Sequence, residues 1–483
     1  MFAKIKGLAK QSAVYGLGTV AARAVSFLLL PYYSHLMSTS EYGVYALFMV
    51  LVTILQPLYI HGMDIAFLRF SAAESEQVQR RDLGLVLTHT FGLGGLVSIL
   101  LLLFADPIAR VVVSTAGPVE IEITRLCAAV LLLDTLAYHI FTWLRIRNKP
   151  IAFSMVKLFN VIINISLNIL FVGTLRLGVL GAFYAFLATS VAVLIVLLVL
   201  ARGSLRFGWD WKQVREWLLF GIPNLPSQLF MVAVEFSDRK WIEHYLGVDQ
   251  AGIYSAGYRI AMLMNMIAQA FRYAWQPFFL QTAEDSDAKE TFARVLTYYI
   301  LFVSWIWLAS VFFLEPLLTM NLPGIGPLIE ETYWAGFTVV PVVMLAHILN
   351  GVYANFMVGI YLKKKTRVIP LIIGISALIN IAGNGFLIPR FGYMASAWLT
   401  VISYAVIAVG ILIYIQPRYH VPYEWGRLGK IALTAAAVWA VGMLPADSSL
   451  VLRGLLLLIL PYLWWRLVFD DQERSGIRRR FGR

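Results

Sequence analysis

Apolar runs of about twenty residues recur from one end of this chain to the other. They leave few folds open. A run of that length crosses the hydrocarbon core of a bilayer as one helix, whereas a soluble core is built from shorter amphipathic segments. The composition agrees. Of 483 residues, 60% are hydrophobic and only 14% charged, against roughly a quarter charged in soluble domains. The runs do not alternate apolar with polar residues, which excludes a transmembrane β-barrel. The single cysteine, Cys127, lies inside an apolar run, so the chain has no disulfide framework and no cysteine-based metal site. The fold class expected is an all-α polytopic membrane protein.

Fourteen spans are predicted, over 13–34, 42–65, 83–104, 121–144, 151–172, 179–200, 217–245, 252–280, 292–314, 333–362, 368–388, 393–415, 428–444 and 450–469. The first resembles a signal peptide in outline. It is too long, carries Arg23 at its middle and leads into further spans, so it reads as an uncleaved first span. The runs 217–245, 252–280 and 333–362 exceed what a bilayer needs and are expected to tilt or protrude. Pro223 and Pro226 predict a bend at the start of the seventh run, a suitable place for flexing in a rocking transporter.

The net charge of +12 raises the question of nucleic acid, and the loops answer it. Basic residues cluster in alternate loops, among them Lys4, Lys6 and Lys10, Arg80 and Arg81, Arg145 and Arg147, Lys363 to Lys365, and the tail ending at Arg483. The positive-inside rule then puts both termini in the cytoplasm. The charge is mostly topology, the basic tail meets anionic membrane lipid, and no nucleic-acid partner is implied. No loop is long enough for a catalytic module. Asp285-Ser-Asp287 is a lone D-x-D in an acidic loop, and no glycine-rich phosphate loop is present. The chain is therefore read as no enzyme, with no cofactor and no metal.

An internal repeat organises the core. Glu41-Tyr-Gly-Val-Tyr45 opens the second span and Gln250-Ala-Gly-Ile-Tyr254 the eighth. Tyr15-Gly16 opens the first and Phe220-Gly221 the seventh. Asn164 and Asn168 in the fifth are matched by Asn380 and Asn384 in the eleventh. Asparagines at i and i+4 share a helical face, where an interhelical hydrogen-bond pair is the plain reading and a ligand site the sharper one. Each repeat holds six spans, so the two have parallel topology and are expected as bundles related by a pseudo-two-fold axis along the membrane normal. The division expected is 1–210, 211–420, and 421–483 as two extra helices with the basic tail.

In this ordered set the sequence resembles the polysaccharide (O-antigen type) flippases of the multidrug/oligosaccharidyl-lipid/polysaccharide exporter superfamily. The resemblance runs from about Lys6 to Gln416 and rests on Arg23 with Pro31, Glu41-Tyr-Gly43, Gly221-Ile-Pro223, Ser237-Asp-Arg239, Gly252-Ile-Tyr254, Trp275-Gln-Pro277, and Asn380 and Asn384 with Ile388-Pro389. It implies two six-helix bundles facing a central cavity, alternating access, and a lipid-linked oligosaccharide as cargo. It places the protein in the bacterial cytoplasmic membrane, beside polysaccharide polymerase and glycosyltransferases. The two extra C-terminal spans are similar to those of lipid II flippases, so lipid II stays open as cargo. A drug/cation antiporter of the same superfamily stays open too, as does, from another class, a membrane polysaccharide polymerase or ligase.

Such a cargo joins an apolar tail and a polar head through an anionic pyrophosphate, which guanidinium groups match well. Intramembrane charges are costly and tend to be functional. Arg23, Arg259 and Arg272 are the candidate cavity cations. A structural ion pair is the alternative for Arg23, and snorkelling to the interface for Arg272. Glu235, Asp238 and Arg239 are read as a gating or ion-pair cluster: Glu235 and Arg239 stand at i and i+4, and Asp238 is expected to meet Arg259. Asp134 is the candidate for coupling to H+ or Na+, with a hydrogen bond to a neighbouring helix as the bland alternative.

Overall fold

The computed structural model describes residues 29–205, 208–324, 326–443, 449–471 and 473–475. It is built almost wholly of helices. In order they are α1 (Leu29–Leu36), α2 (Thr39–Ile60), α3 (Met63–Ser71), α4 (Glu76–Leu103), α5 (Ala105–Val112), α6 (Pro118–Ile146), α7 (Pro150–Asn168), α8 (Gly178–Ala201), α9 (Trp211–Gly221), α10 (Leu225–Leu246), α11 (Val248–Thr282), α12 (Ala288–Leu318), α13 (Val340–Leu362), α14 (Ile369–Phe391), α15 (Met394–Ile415), α16 (Trp425–Met443) and α17 (Leu450–Leu467). Thirteen of the fourteen expected spans coincide with described helices. The first lies outside the described residues apart from its end, which forms α1. By length and composition, eleven described helices suffice to cross a membrane.

Local sequence explains the boundaries. Ser38 caps α2: its side chain accepts from the Glu41 amide at 3.2 Å while Glu41 accepts from the Ser38 amide at 3.1 Å. This reciprocal box satisfies two donors that the first turn leaves bare. The prolines of the seventh span act as expected. Helix α9 stops at Gly221, a 3-10 turn covers Ile222–Asn224, and α10 resumes at Leu225. That span starts earlier than its apolar run, because the Asp210 side chain caps α9 by accepting from the Gln213 amide at 3.2 Å.

Two features escape hydropathy. The second span is broken, since His61 (φ 38°) and Gly62 (φ 78°) are both left-handed between α2 and α3. Glycine takes that conformation freely, whereas His61 does so at about 1 kcal/mol or more. The loop after α12 forms a small antiparallel hairpin, β1 (Asn321–Leu322) with β2 (Gly326–Pro327).

The chain forms two compact units. The first comprises residues up to Arg259 and Ile369–Thr400; the second comprises Ile260–Val368 and from Val401 onward. In the first, α4, α6 and α8 pack together and α10 lies along both α2 and α14. Its apolar core gathers Phe67, Phe141, Trp143, Leu197 and Trp217 at one end and Phe48, Leu131 and Phe183 at the other.

Glycines set the closest approaches in this unit. A Cβ on Gly252 would lie 2.0 Å from the Thr39 carbonyl oxygen, and one on Gly43 2.2 Å from that of Val248. The two copies of the repeated glycine motif thus meet each other. A second such contact joins Gly62 to Gly221, where either Cβ would come within 2.6 Å of the other's backbone. Small residues at crossings of this kind let dispersion act at short range inside a membrane, where no hydrophobic drive joins helices.

In the second unit α12 packs on α13, α16 and α17. Phe312, Ile431, Leu460 and Trp464 form its core. Arg427 bridges two carboxylates, donating to Glu424 at 2.8 Å and to Glu473, beyond α17, at 2.7 Å.

Candidate functional site

The charges singled out in the sequence meet four different environments. Asp238 and Arg239, on α10, are 0% and 4% exposed. The Arg239 guanidinium donates to Asp238 Oδ1 at 2.5 Å and to the Glu235 carbonyl at 2.5 Å. It lies over Tyr258 at 3.9 Å from the ring centroid. Tyr254 donates its hydroxyl to the other Asp238 oxygen at 2.5 Å. The acid is therefore met by Arg239 and Tyr254, not by Arg259, and Arg239 takes the backbone oxygen of Glu235 rather than its carboxylate. A charge pair so enclosed is neutral as a unit, and its desolvation is met only while both partners stay.

Arg259, on α11, is half-buried. It stands against an aromatic group drawn from α1 and α2. Tyr33 meets Tyr45 with ring centroids 5.3 Å apart, and Tyr45 meets Tyr42 at 5.7 Å. Arg259 donates to the Tyr42 hydroxyl at 3.5 Å, the long limit of a hydrogen bond.

Arg272, also on α11, is exposed. It donates to Asn350 Oδ1 on α13 at 2.7 Å, and Asn350 in turn donates to Asn265 at 3.4 Å. Both asparagines are buried, at 6% and 4% exposure. The partner is a neutral amide, so the positive charge is positioned and remains available. Among the described residues no carboxylate pairs with it. Asp134, on α6, is half-buried and faces Ser190 of α8, with Lys157 of α7 the cation acting on it. Lys157 itself sits 4.1 Å from the Phe141 ring centroid. Arg23 lies outside the described residues.

The two asparagine pairs do matching work. Asn168 accepts from Tyr33 at 2.6 Å and donates to the Asn164 carbonyl at 2.8 Å. Asn384 donates to Asn380 at 3.0 Å and accepts from Ser396 at 2.6 Å, while Asn380 accepts from Ser237 at 3.1 Å. Each pair stitches its own helix to two others, the interhelical reading of the motif. Such bonds contribute about 0.6 kcal/mol each inside a membrane.

Sequence reasoning missed a polar clasp beside the Gly43–Gly252 crossing. Thr39 donates to Asp249 at 2.6 Å. Glu243 accepts from the Ser114 amide at 2.8 Å and from Lys240 at 2.6 Å. The signal was the density of charge over 240–249, which reads as an ordinary inter-span loop until the partners are known. No arrangement among the described residues gathers three metal-ligating side chains around a common point.

Comparison with known proteins follows the same lines. A family model described as "Polysaccharide biosynthesis protein" matches residues 34–323. Among solved structures the fold is similar to a lipid II flippase MurJ in an inward closed conformation, at TM-score 0.74 and 14% identity, over 94% of this chain and 98% of that one. It is also similar to an inward-facing multidrug resistance MATE family transporter of the MOP superfamily, at TM-score 0.61 and 14% identity, over 88% and 96%. A mutant MATE transporter of Vibrio cholerae aligns at TM-score 0.60 and 15% identity, over 86% and 97%. At such identities the likeness is one of fold. None of the curated proteins matches the sequence.

Proposed function

The chain belongs to the polysaccharide biosynthesis protein family, and on that premise we propose that it is a flippase carrying an undecaprenyl-pyrophosphate-linked oligosaccharide from the inner to the outer leaflet. The membrane it works in is the bacterial cytoplasmic membrane, with both termini cytoplasmic. The family match is the observation that carries this reading. The helical build, with eleven described helices fit to cross a membrane, supports a transporter rather than an enzyme.

The chemistry of the cations supports an anionic cargo. Arg272 is exposed and held by an amide, and Arg259 is half-buried beside phenols. A pyrophosphate would accept from such groups in charge-assisted hydrogen bonds, without first displacing a carboxylate from Arg272. Arg23 is proposed as a third cation. Asp238 and Arg239, already satisfied by each other, serve as a fixed closure with Glu235 rather than as a cargo site. Asp134 is the proposed coupling residue, for H+ or Na+. The division at 1–210, 211–420 and 421–483 is part of the same proposal, as is association with a polymerase and glycosyltransferases.

Lipid II is the second cargo considered, favoured by the likeness to a lipid II flippase over 94% of the chain. A drug/cation antiporter would call for a cavity dominated by acids. Deletion of the gene followed by analysis of lipid-linked glycans decides among them. The expected result is build-up of one undecaprenyl-linked oligosaccharide on the cytoplasmic leaflet. Build-up of lipid II selects the second cargo. Lost drug resistance with no glycan build-up overturns both.

A further inference from the structure

The break in the second span holds titratable groups that no step above uses. His61 and His89 face each other with their Nε2 atoms 3.0 Å apart, and both side chains are buried, at 5% and 6% exposure. His61 Nδ1 lies 2.8 Å from the Tyr59 carbonyl oxygen, to which only an N–H can donate. A neutral His61 therefore presents a bare lone pair at Nε2, and His89 supplies the N–H between the rings. A second proton has a place, on the far nitrogen of His89, and the bond between the rings then becomes charge-assisted.

The surroundings are left short of hydrogen bonds. His139, on α6, is 0% exposed, lies within electrostatic reach of both other histidines, and neither of its ring nitrogens has a partner among the described residues. Asp64, three residues beyond His61, accepts from Tyr138 at 3.3 Å through Oδ2, while its buried Oδ1 has no partner among the described residues. Each such atom costs about 1–3 kcal/mol. Arg145 acts on Asp64 from α6. Trp209 lies against the His89 ring with centroids 5.8 Å apart. Helix α9 brings Gly221 into backbone contact with Gly62.

We propose that His61, His89 and His139, with Asp64, form a proton-binding site at the left-handed break between α2 and α3, and that proton uptake there loosens the packing of α3 on α9. The neutral state suits the tight arrangement, because a single N–H bridges the pair and no cation is buried. An added proton places a positive charge among apolar side chains. That charge is stabilised by approach of Asp64 or by water, and both require movement at His61–Gly62. Hydration also satisfies His139 and Asp64, so opening and protonation favour each other. Treating this proton as the coupling ion rests on the flippase reading; the proton site and its link to the bend do not.

Solid-state 15N NMR of the full-length protein, labelled at histidine and held in bilayers, tests the site without any cargo. Ring nitrogens 3.0 Å apart identify the pair by their mutual cross-peak. As the pH is lowered from about 8 to about 3, a resonance of the pair should move from a neutral to a doubly protonated ring. Spin labels at Arg69 on α3 and Leu219 on α9, both exposed, should report a separation that changes over the same pH range. That change should be lost in His89→Gln, in which the shared N–H survives as an amide. Histidine shifts constant across the range, or a pH-driven separation equal in wild type and His89→Gln, would overturn the proposal. Should His89→Gln not fold, the wild-type titration alone decides whether the site exists. Cargo transport with an unmoved NMR titration would leave the flippase reading standing and this one refuted.

Discussion

Arg239 and Arg272 sit on consecutive helices of a membrane protein and live under opposite conditions. Arg239 is 4% exposed, with Asp238 at 2.5 Å and Tyr258 beneath it. Arg272 is exposed and held at 2.7 Å by the amide of Asn350. The first is a charge that the fold has consumed; the second is a charge that the fold presents. Residue type and hydrophobic context are alike in the sequence, so what separates a consumed from a presented charge is the partner, and the partner comes from tertiary packing.

That contrast can be broken from either side. The largest effect is expected from Asp238→Ala, which leaves a buried guanidinium unpaired. Loss of about 3–5 kcal/mol should appear as reduced yield and a lower unfolding temperature in detergent. The double variant Asp238→Asn with Arg239→Gln should recover much of that loss, because neither charge remains to be stranded. Equal damage in single and double variants would mean that the pair is not a unit.

Arg272→Gln should behave in the opposite way. Stability should stay within about 0.5 kcal/mol, while transport falls by roughly ten- to a hundredfold, the value of one charge-assisted hydrogen bond. Arg272→Lys should keep part of the activity, since the charge survives and the planar fork does not. Asn350→Ala is the mildest change. It frees Arg272 without removing it, so transport should drop only about three- to tenfold, in the range of one ordinary hydrogen bond. Assays of transport and thermal unfolding on the same preparations separate these outcomes.

Much of the architecture was legible in the sequence because span length is set by bilayer thickness rather than by packing. Thirteen runs therefore coincide with described helices, and Pro223 and Pro226 mark a real break in the seventh. The break at His61–Gly62 was not legible, since the apolar run continues through it and hydropathy does not see φ. The glycines of the repeat were visible as a motif. That Gly43 and Gly252 close on the same crossing was not, because sequence similarity states equivalence and says nothing of contact. Asp238 shows the same limit within the site. Arg259 on the next helix was the partner expected for it, whereas the rotamers of α10 turn it to Arg239 and Tyr254.

On the proposed reading this protein moves an anionic lipid-linked sugar, and the Arg272 guanidinium meets it. The direct measurement uses proteoliposomes carrying an undecaprenyl-pyrophosphate oligosaccharide labelled on the sugar, with transfer between leaflets followed by a membrane-impermeant reagent. Wild-type protein should exchange the label at a rate that Arg272→Gln lowers at least about tenfold, in protein that unfolds at the wild-type temperature. No exchange by folded wild-type protein, or equal exchange by Arg272→Gln, would contradict the account.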